Sequence, residues 1–349
     1  MLQLNSFSKN LIDWYSIVKR DLPWRKTSDP YIIWLSEIIL QQTRVDQGLP
    51  YFNQFVSQYP TVHDLAKASA QEVMKTWEGL GYYSRARNLH HTAKHISNDL
   101  GGKFPDTYSG LLSLKGVGPY TAAAIASIAF GLPTPVLDGN VFRFISRHFG
   151  VHKEISDTKN RRFFIEILED LIPYQRPADF NQAIMEFGAT ICTPAPKCVD
   201  CIFRDSCYAF ANDLQSQLPV KEKKVKSKEV TLDYFVFSYS GHALLRERKE
   251  SIWRGLFEFY GTEDVPITKT MTFFNAKFQE LAINSTIGPV KHLLTHRKLW
   301  VSFHNVRVAD ESTLFSIAKE LGLKVYSCEE ILTLPLPKVI VNHLEHFDF

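Results

Sequence analysis

Two domains of different class are predicted: an all-α domain over residues 1–210 and an α+β domain over 230–349, joined by a linker at 211–229. Three features of the chain predict this. Up to Phe210 apolar residues recur at helical spacing, with short Gly, Pro or Asp connections and no convincing period-two alternation. Residues 215–229 are polar and carry Lys221, Lys223, Lys224, Lys226 and Lys228. Beyond them, 230–239 and 299–308 alternate in part and are rich in Val, Phe and Tyr, as strands are.

Taken in order, residues 1–20 place Lys9, Asp13, Lys19 and Arg20 among apolar residues. This reads as an amphipathic helix, not a secretory leader. Pro30 opens a long apolar-rich helical run over 31–45, and Leu65, Val73, Trp77 and Leu80 follow at roughly helical spacing. Segments 100–102, 104–106 and 131–133 are loops by their Gly, Pro and Asp content. The most apolar stretch, 122–130, is too short to span a bilayer. Residues 161–171 and 311–321 read as helices. The lysine-rich segment reads as a solvated linker, a role compatible with touching a phosphate backbone.

Composition narrows the function classes. Of 349 residues, 45% are hydrophobic and 22% charged, which excludes a disordered chain and a disulfide miniprotein. A net charge of +3 permits a polyanionic partner and excludes a histone-like polycation. Four of the five cysteines fall between 192 and 207, which points to an intracellular metal or cluster site. A soluble, cytoplasmic monomer is expected.

Four motifs carry chemistry. In Leu114-Lys115-Gly116-Val117-Gly118-Pro119-Tyr120-Thr121, two glycines let the backbone turn tightly and approach another chain, and Pro119 suits a helix start. Free N–H groups there would face an anion, although many tight turns look the same. Asp138-Gly139-Asn140-Val141, with Arg143 after it, opens an apolar helical run, so Asp138 is either a helix cap or something more. Cys192, Cys198, Cys201 and Cys207 are spaced C-x5-C-x2-C-x5-C. Structural zinc usually has two Cys pairs separated by a longer loop, and this compact run fits a [4Fe–4S] cluster better. Lastly, Glu37 lies in a helix with many apolar neighbours, and Gln41 shares its face. It is either an ordinary surface glutamate or a carboxyl whose ionised form is disfavoured, able to act as a general acid.

Together these motifs resemble the helix-hairpin-helix DNA glycosylases with an iron–sulfur cluster, in which an aspartate follows the Gly-x-Gly hairpin by about twenty residues. Within that superfamily the chain looks like the adenine DNA glycosylases of the MutY type, over essentially its whole length. The discriminating matches are Leu22-Pro23-Trp24-Arg25, Ser36-Glu37 with Leu40-Gln41-Gln42-Thr43, Trp77-Glu78-Gly79-Leu80-Gly81-Tyr82-Tyr83-Ser84-Arg85-Ala86-Arg87, and Asp138-Gly139-Asn140-Val141.

The resemblance implies removal of adenine mispaired with 8-oxoguanine, or guanine, in duplex DNA. Glu37 would be the general acid protonating adenine N7, and Asp138 the anion that stabilises the sugar oxocarbenium ion. Tyr120 and Asn140 would support Asp138 and the sugar. Trp24 and Arg25 would line the adenine pocket. Gln42 and Tyr82 match the wedge residues beside the 8-oxoguanine, and Gly116 and Gly118 would hold the DNA backbone. The four cysteines would hold a structural [4Fe–4S] cluster that sets Lys197 and Arg204 against DNA phosphates. The first Cys gap has five residues where the family usually has six, with Pro194 and Pro196 in it. The catalytic domain would comprise a six-helix module over about 30–134 and a cluster module from 1–29 and 135–210.

The second domain resembles the family's MutT-like (Nudix-like) recognition domain through Leu244-Leu245-Arg246-Glu247-Arg248 and Ile252-Trp253-Arg254-Gly255-Leu256-Phe257-Glu258-Phe259. Leu294-Thr295-His296 stands where the family's 8-oxoguanine-reading loop has Phe-Ser-His, so the aromatic is lost. No glutamate cluster follows Phe259, so pyrophosphatase activity is not expected. Two other readings compete. A bifunctional glycosylase/lyase would carry a lysine at position 120, where this chain has Tyr120. A non-catalytic mismatch-binding protein would have lost Glu37 or Asp138, and neither is lost.

Overall fold

The computed structural model describes residues 6–222, 227–250, 252–278, 281–294, 297–347 and 349. In chain order the helices of the first two-thirds are α1 (Ser6–Val18), α2 (Pro30–Leu40), α3 (Val45–Gln58), α4 (Val62–Lys67), α5 (Ala70–Thr76), α6 (Ser84–Asn98), α7 (Tyr108–Leu112), α8 (Pro119–Phe130), α9 (Gly139–Phe149), α10 (Arg161–Leu171), α11 (Pro177–Thr190) and α12 (Tyr208–Ala211). The chain divides into two compact units: Met1–Lys67 with Asn88–Lys223, and Ala68–Arg87 with Lys224–Phe349. Sequence reading puts 68–87 inside the first domain. Its grouping with the second unit has a local cause: the Lys75 ammonium donates to the Leu334 carbonyl at 3.0 Å, and the Leu336 N–H donates to the Glu78 carboxylate at 2.9 Å.

The first unit is all-helical among its described residues, as expected. Pro30 starts α2, and Asp29 caps it by accepting from the Tyr31 N–H at 2.9 Å. Almost every side chain of α2 is apolar, so it runs through the interior, with Ile33, Trp34, Leu35 and Ile39 at most 1% exposed. The expected continuous run to residue 45 is not formed. Gln41 turns out of the helix at ψ +116° and Gln42 takes φ +57°, which together end α2 and let α3 begin afresh at Val45. The run of 122–126 is small and fully buried, which lets α2, α7 and α11 lie close against α8. Around α1, α8, α9, α10 and α11 the core gathers Leu11, Ile12, Ala124, Phe144, Ile145, Phe164, Phe180 and Phe187. Leu65, Val73, Trp77 and Leu80 are all buried, but they belong to two short helices and the turn after them.

The second unit carries a seven-stranded mixed sheet: β1 (Lys228–Tyr239), β2 (His242–Glu247), β3 (Phe257–Glu258), β4 (Tyr260–Glu263), β5 (Ser285–Leu293), β6 (Arg297–Arg307) and β7 (Lys324–Ser327). Strand β1 lies parallel to β6, from Lys228 opposite Arg297 to Ser238 opposite Arg307. Strand β6 pairs antiparallel with β5, which bulges between Ile287 and Val290. Helices α13 (Ile267–Phe278) and α14 (Glu311–Leu321) pack on the sheet through Phe274, Leu314 and Ile317 against Phe235 and Phe237. The α+β expectation is met, and 311–321 is the helix its pattern predicts. Among the described residues no helix is long and apolar enough to cross a membrane.

Candidate active site

A cavity of about 380 Å³ opens among α2, α8, α9 and α11. Trp24, Arg25, Glu37, Gln42, Tyr120, Asp138 and Asn140 all line it. The structure therefore gathers in one place residues that the sequence spreads over more than a hundred positions.

Glu37 is the one carboxylate of α2. Burial pushes its carboxyl up to about 7. The nearby Asp138 charge adds to this, and a hydrogen bond from the Tyr120 hydroxyl and the Arg25 cation oppose it. The surface-glutamate reading is thus set aside: this is a half-buried acid poised near neutrality. Tyr120, on the first turn of α8, is pushed well above its ordinary value by burial and by the Glu37 charge, so it stays a phenol. Its hydroxyl also reaches Met185 Sδ at 3.0 Å.

Asp138 is the helix cap that its sequence context allows, and it also lines the cavity. It caps α9, accepting from the Asn140 N–H at 2.9 Å and the Val141 N–H at 2.8 Å. Its second oxygen accepts from Asn140 Nδ2 at 3.0 Å. Burial pushes the carboxyl up, while these three donors and the Arg143 guanidinium pull it back toward the charged form. Arg143 holds Asn140 in turn, donating to its Oδ1 at 2.9 Å, to the Gly188 carbonyl at 2.6 Å and to the Cys192 carbonyl at 2.7 Å. Gly188 lets α11 approach this loop, because a Cβ there would stand 2.9 Å from the Asn140 carbonyl oxygen.

One group in the cavity escapes a motif search. Glu186, on α11, is 1% exposed and clamped by Arg20 at 2.7 and 2.6 Å and by Arg25 at 2.7 Å. Burial alone would raise its carboxyl, but the two guanidiniums outweigh it and hold it at about 2. The signal was available: an acid amid the apolar residues of a helix, the same signal that singles out Glu37. Arg25 is therefore fixed by a permanent anion, and Trp24 is fixed edge-on to Phe52 at 5.0 Å.

The other candidates lie elsewhere. Gly116 (φ +84°) and Gly118 form the turn between α7 and α8, and a Cβ on Gly116 would strike Asn88 at 2.7 Å. Tyr82 is 48% exposed with φ +47°. It and Gln42 are both non-glycine residues in the left-handed region, where strain clusters at functional sites. In the second unit Tyr82 and Leu294 line one cavity of about 1030 Å³. Thr295 and His296 lie outside the described residues.

Cys192, Cys198, Cys201 and Cys207 line a common cavity with Phe144, Arg147 and Phe203. All four thiols are free. Arg147 donates to Cys192 Sγ at 3.6 Å, and the Cys207 thiol donates to the Arg147 carbonyl at 3.5 Å. The same guanidinium ties down the short first gap through the Thr193 and Pro194 carbonyls at 2.6 and 3.1 Å. Four soft donors facing one space, with the gap between the first two pinned, fit an iron–sulfur group. No group of three or more His, Cys, Asp or Glu among the described residues is arranged to hold a metal ion.

Comparison with known proteins bears on the family and fold of the chain. Residues 35–170 match the HhH-GPD superfamily base excision DNA repair protein family, and 233–346 match the NUDIX domain. The chain is 36% identical over 347 residues to the adenine DNA glycosylase of Buchnera aphidicola subsp. Schizaphis graminum, covering 98% of both chains. It is 42% identical over 226 residues to the adenine DNA glycosylase of Homo sapiens, covering 62% of this chain and 41% of that one. A thermostable thymine-DNA glycosylase superposes with TM-score 0.55 at 33% identity, covering 59% of this chain and 95% of that one. Endonuclease III in a non-covalent DNA complex shares the fold, with TM-score 0.52 at 20% identity over 62% of this chain and all of that one. With a helical HhH-GPD domain, a NUDIX domain and near-complete alignment to a curated relative, the chain belongs to the adenine DNA glycosylase family.

Proposed function

We propose that this enzyme, a DNA glycosylase that removes adenine, acts on adenine paired with 8-oxoguanine or guanine in duplex DNA and leaves the strand uncut. The observation that carries the reading is the pair Glu37 and Asp138, which line one cavity: burial raises both carboxyls, and at Asp138 three hydrogen-bond donors and the Arg143 guanidinium work to keep the charge.

The adenine leaves the stack and enters the cavity against Trp24. Glu37, protonated near neutral pH, gives its proton to N7. The C1′–N9 bond breaks with its electron pair going to the base, which departs as neutral adenine. The sugar becomes an oxocarbenium ion facing Asp138, whose charge is held by the Asn140 and Val141 donors. Water adds to C1′ and passes a proton to the Glu37 carboxylate, leaving an abasic site and restoring the acid. Among the described residues the cavity lining contains no lysine, and Tyr120 cannot form a Schiff base, so no strand cleavage follows.

The rest of the assembly would position the duplex. N–H groups at the start of α8, beside Gly116 and Gly118, face a phosphate. Gln42 and Tyr82 fill the stack, with Tyr82 contributing about 1–3 kcal/mol. The loop of Leu294, Thr295 and His296 reads the 8-oxoguanine. Cys192, Cys198, Cys201 and Cys207 would hold a [4Fe–4S] cluster, which cross-links their loop and so presents Lys197 and Arg204 to the backbone.

Single-turnover treatment of a duplex with one 8-oxoguanine·adenine pair, the adenine strand labelled, tests this reading. A break only after alkali is expected. A break without alkali would show a lyase nucleophile and overturn the monofunctional reading, and no base loss would overturn the assignment of substrate. A second expectation concerns the reading loop: His296→Ala should lower the preference for 8-oxoguanine over guanine opposite adenine. An unchanged ratio would mean the loop does not read the lesion.

A further inference from the structure

Trp253 adopts φ +58°, a conformation bulky residues rarely take, yet it is only 8% exposed. Such a conformation persists only where the surroundings over-determine it. Here they do. The Arg248 guanidinium lies 5.9 Å from the indole and donates to the Ile252 carbonyl at 2.7 Å. It is itself fixed by Glu258 at 2.6 Å and Glu263 at 3.1 Å. Backbone bonds between Gly255 and Arg248, and between Arg248 and Leu256, both 2.8 Å, close the turn.

This rigid turn touches two functional elements, one on each side. The Trp253 ring packs on His292 at 5.6 Å, near the end of β5, two residues before Leu294. The next carbonyl, that of Arg254, accepts from Arg87 Nη1 at 2.7 Å, and Arg87 follows Tyr82 by five residues. Tyr82, Arg87, Trp253, His292 and Leu294 all line the 1030 Å³ cavity of the second unit.

We infer that the 252–255 turn is a spacer that sets the Tyr82 segment against the β5 end, making Trp253 and Arg87 positioning residues for recognition of the base opposite adenine. The inference rests on the reading of Tyr82 and of the loop after β5 given above. Neither residue touches the reacting atoms. Each acts by holding an element that meets the lesion-bearing strand, so its loss should blunt discrimination without disabling the chemistry.

The test compares single-turnover adenine release from 8-oxoguanine·adenine and guanine·adenine duplexes by the full-length protein. Trp253→Ala should lower the ratio of the two rates about tenfold, with the guanine·adenine rate held within about twofold. Trp253→Phe should restore most of the ratio. Should Trp253→Ala fail to fold, as judged by its melting, Arg87→Met carries the test with the same expectation, since it removes the bond to the Arg254 carbonyl while keeping much of the side chain's length. An unchanged ratio in these variants, with His296→Ala losing its preference, overturns the inference and leaves the loop's role standing. Unchanged ratios in all of them overturn both. Equal slowing on both duplexes, unrelieved in Trp253→Phe, marks a general structural role and also overturns it.

Discussion

Glu37→Gln is expected to slow adenine release by about 10³-fold or more while duplex binding stays close to normal. Glutamine keeps the shape of the protonated acid but has no proton to give. The pH dependence follows from the same carboxyl. It is protonated below about 7, so wild-type release should fall roughly tenfold per pH unit above that point, and the variant's residual rate should lack this limb. Near-normal release by the variant would remove Glu37 from the mechanism.

The raised carboxyl also has a thermodynamic sign. Its ordinary value is 4.5 and the folded value about 7, so below 4.5 both folded and unfolded chains hold the proton and nothing is lost. Between those values the unfolded chain alone gives up the proton, and native stability falls as pH rises. Above 7 the loss is complete, on the order of 3 kcal/mol. Glu37→Gln should therefore melt several degrees above wild type at pH values above about 8 and nearly level with it at acid pH. Calorimetry of both proteins across this range checks it. A variant that is inactive and less stable at every pH would show a structural glutamate instead.

Asp138→Asn should be comparably inactive, with a loss of about 10³-fold or more, because the oxocarbenium ion would face a neutral amide. Asparagine also caps helices well, so the Asn140 and Val141 N–H groups keep an acceptor and α9 should remain formed. The second atom of the side chain is the sensitive one. Asn140 Nδ2 now donates to it at 3.0 Å, and an amide nitrogen there would set donor against donor. Turning Asn140 round would relieve this only by presenting its Nδ2 to the Arg143 guanidinium. Asp138→Ser, which keeps a cap and removes the charge, separates the two effects. If it releases adenine at the wild-type rate, the charge is not needed.

How far the sequence carries this site depends on the range of the interaction involved. The helix at Asp138 is legible because cap and apolar run are neighbours, and Glu37 stands out because a carboxyl in an apolar helix is conspicuous. The break at Gln42 is only half legible: Gln41, Gln42, Thr43 and Arg44 interrupt the apolar run, but such a polar stretch also fits the exposed face of a continuing helix, and it is the positive φ of Gln42 that decides. The Glu186 clamp joins residues 161 and 166 positions apart, which periodicity cannot register. The grouping of Ala68–Arg87 with the second unit escapes for the same reason.

That grouping bears on how the protein is made. The partners of Lys75 and Glu78 lie 259 and 258 residues further along the chain. At ordinary rates of synthesis they leave the ribosome tens of seconds after the segment they secure. The segment bearing Tyr82 is thus completed last although it emerges early. A nascent chain stopped short of residue 334 would carry this piece unsecured, and the segment bearing Tyr82 would be finished only once translation is nearly over.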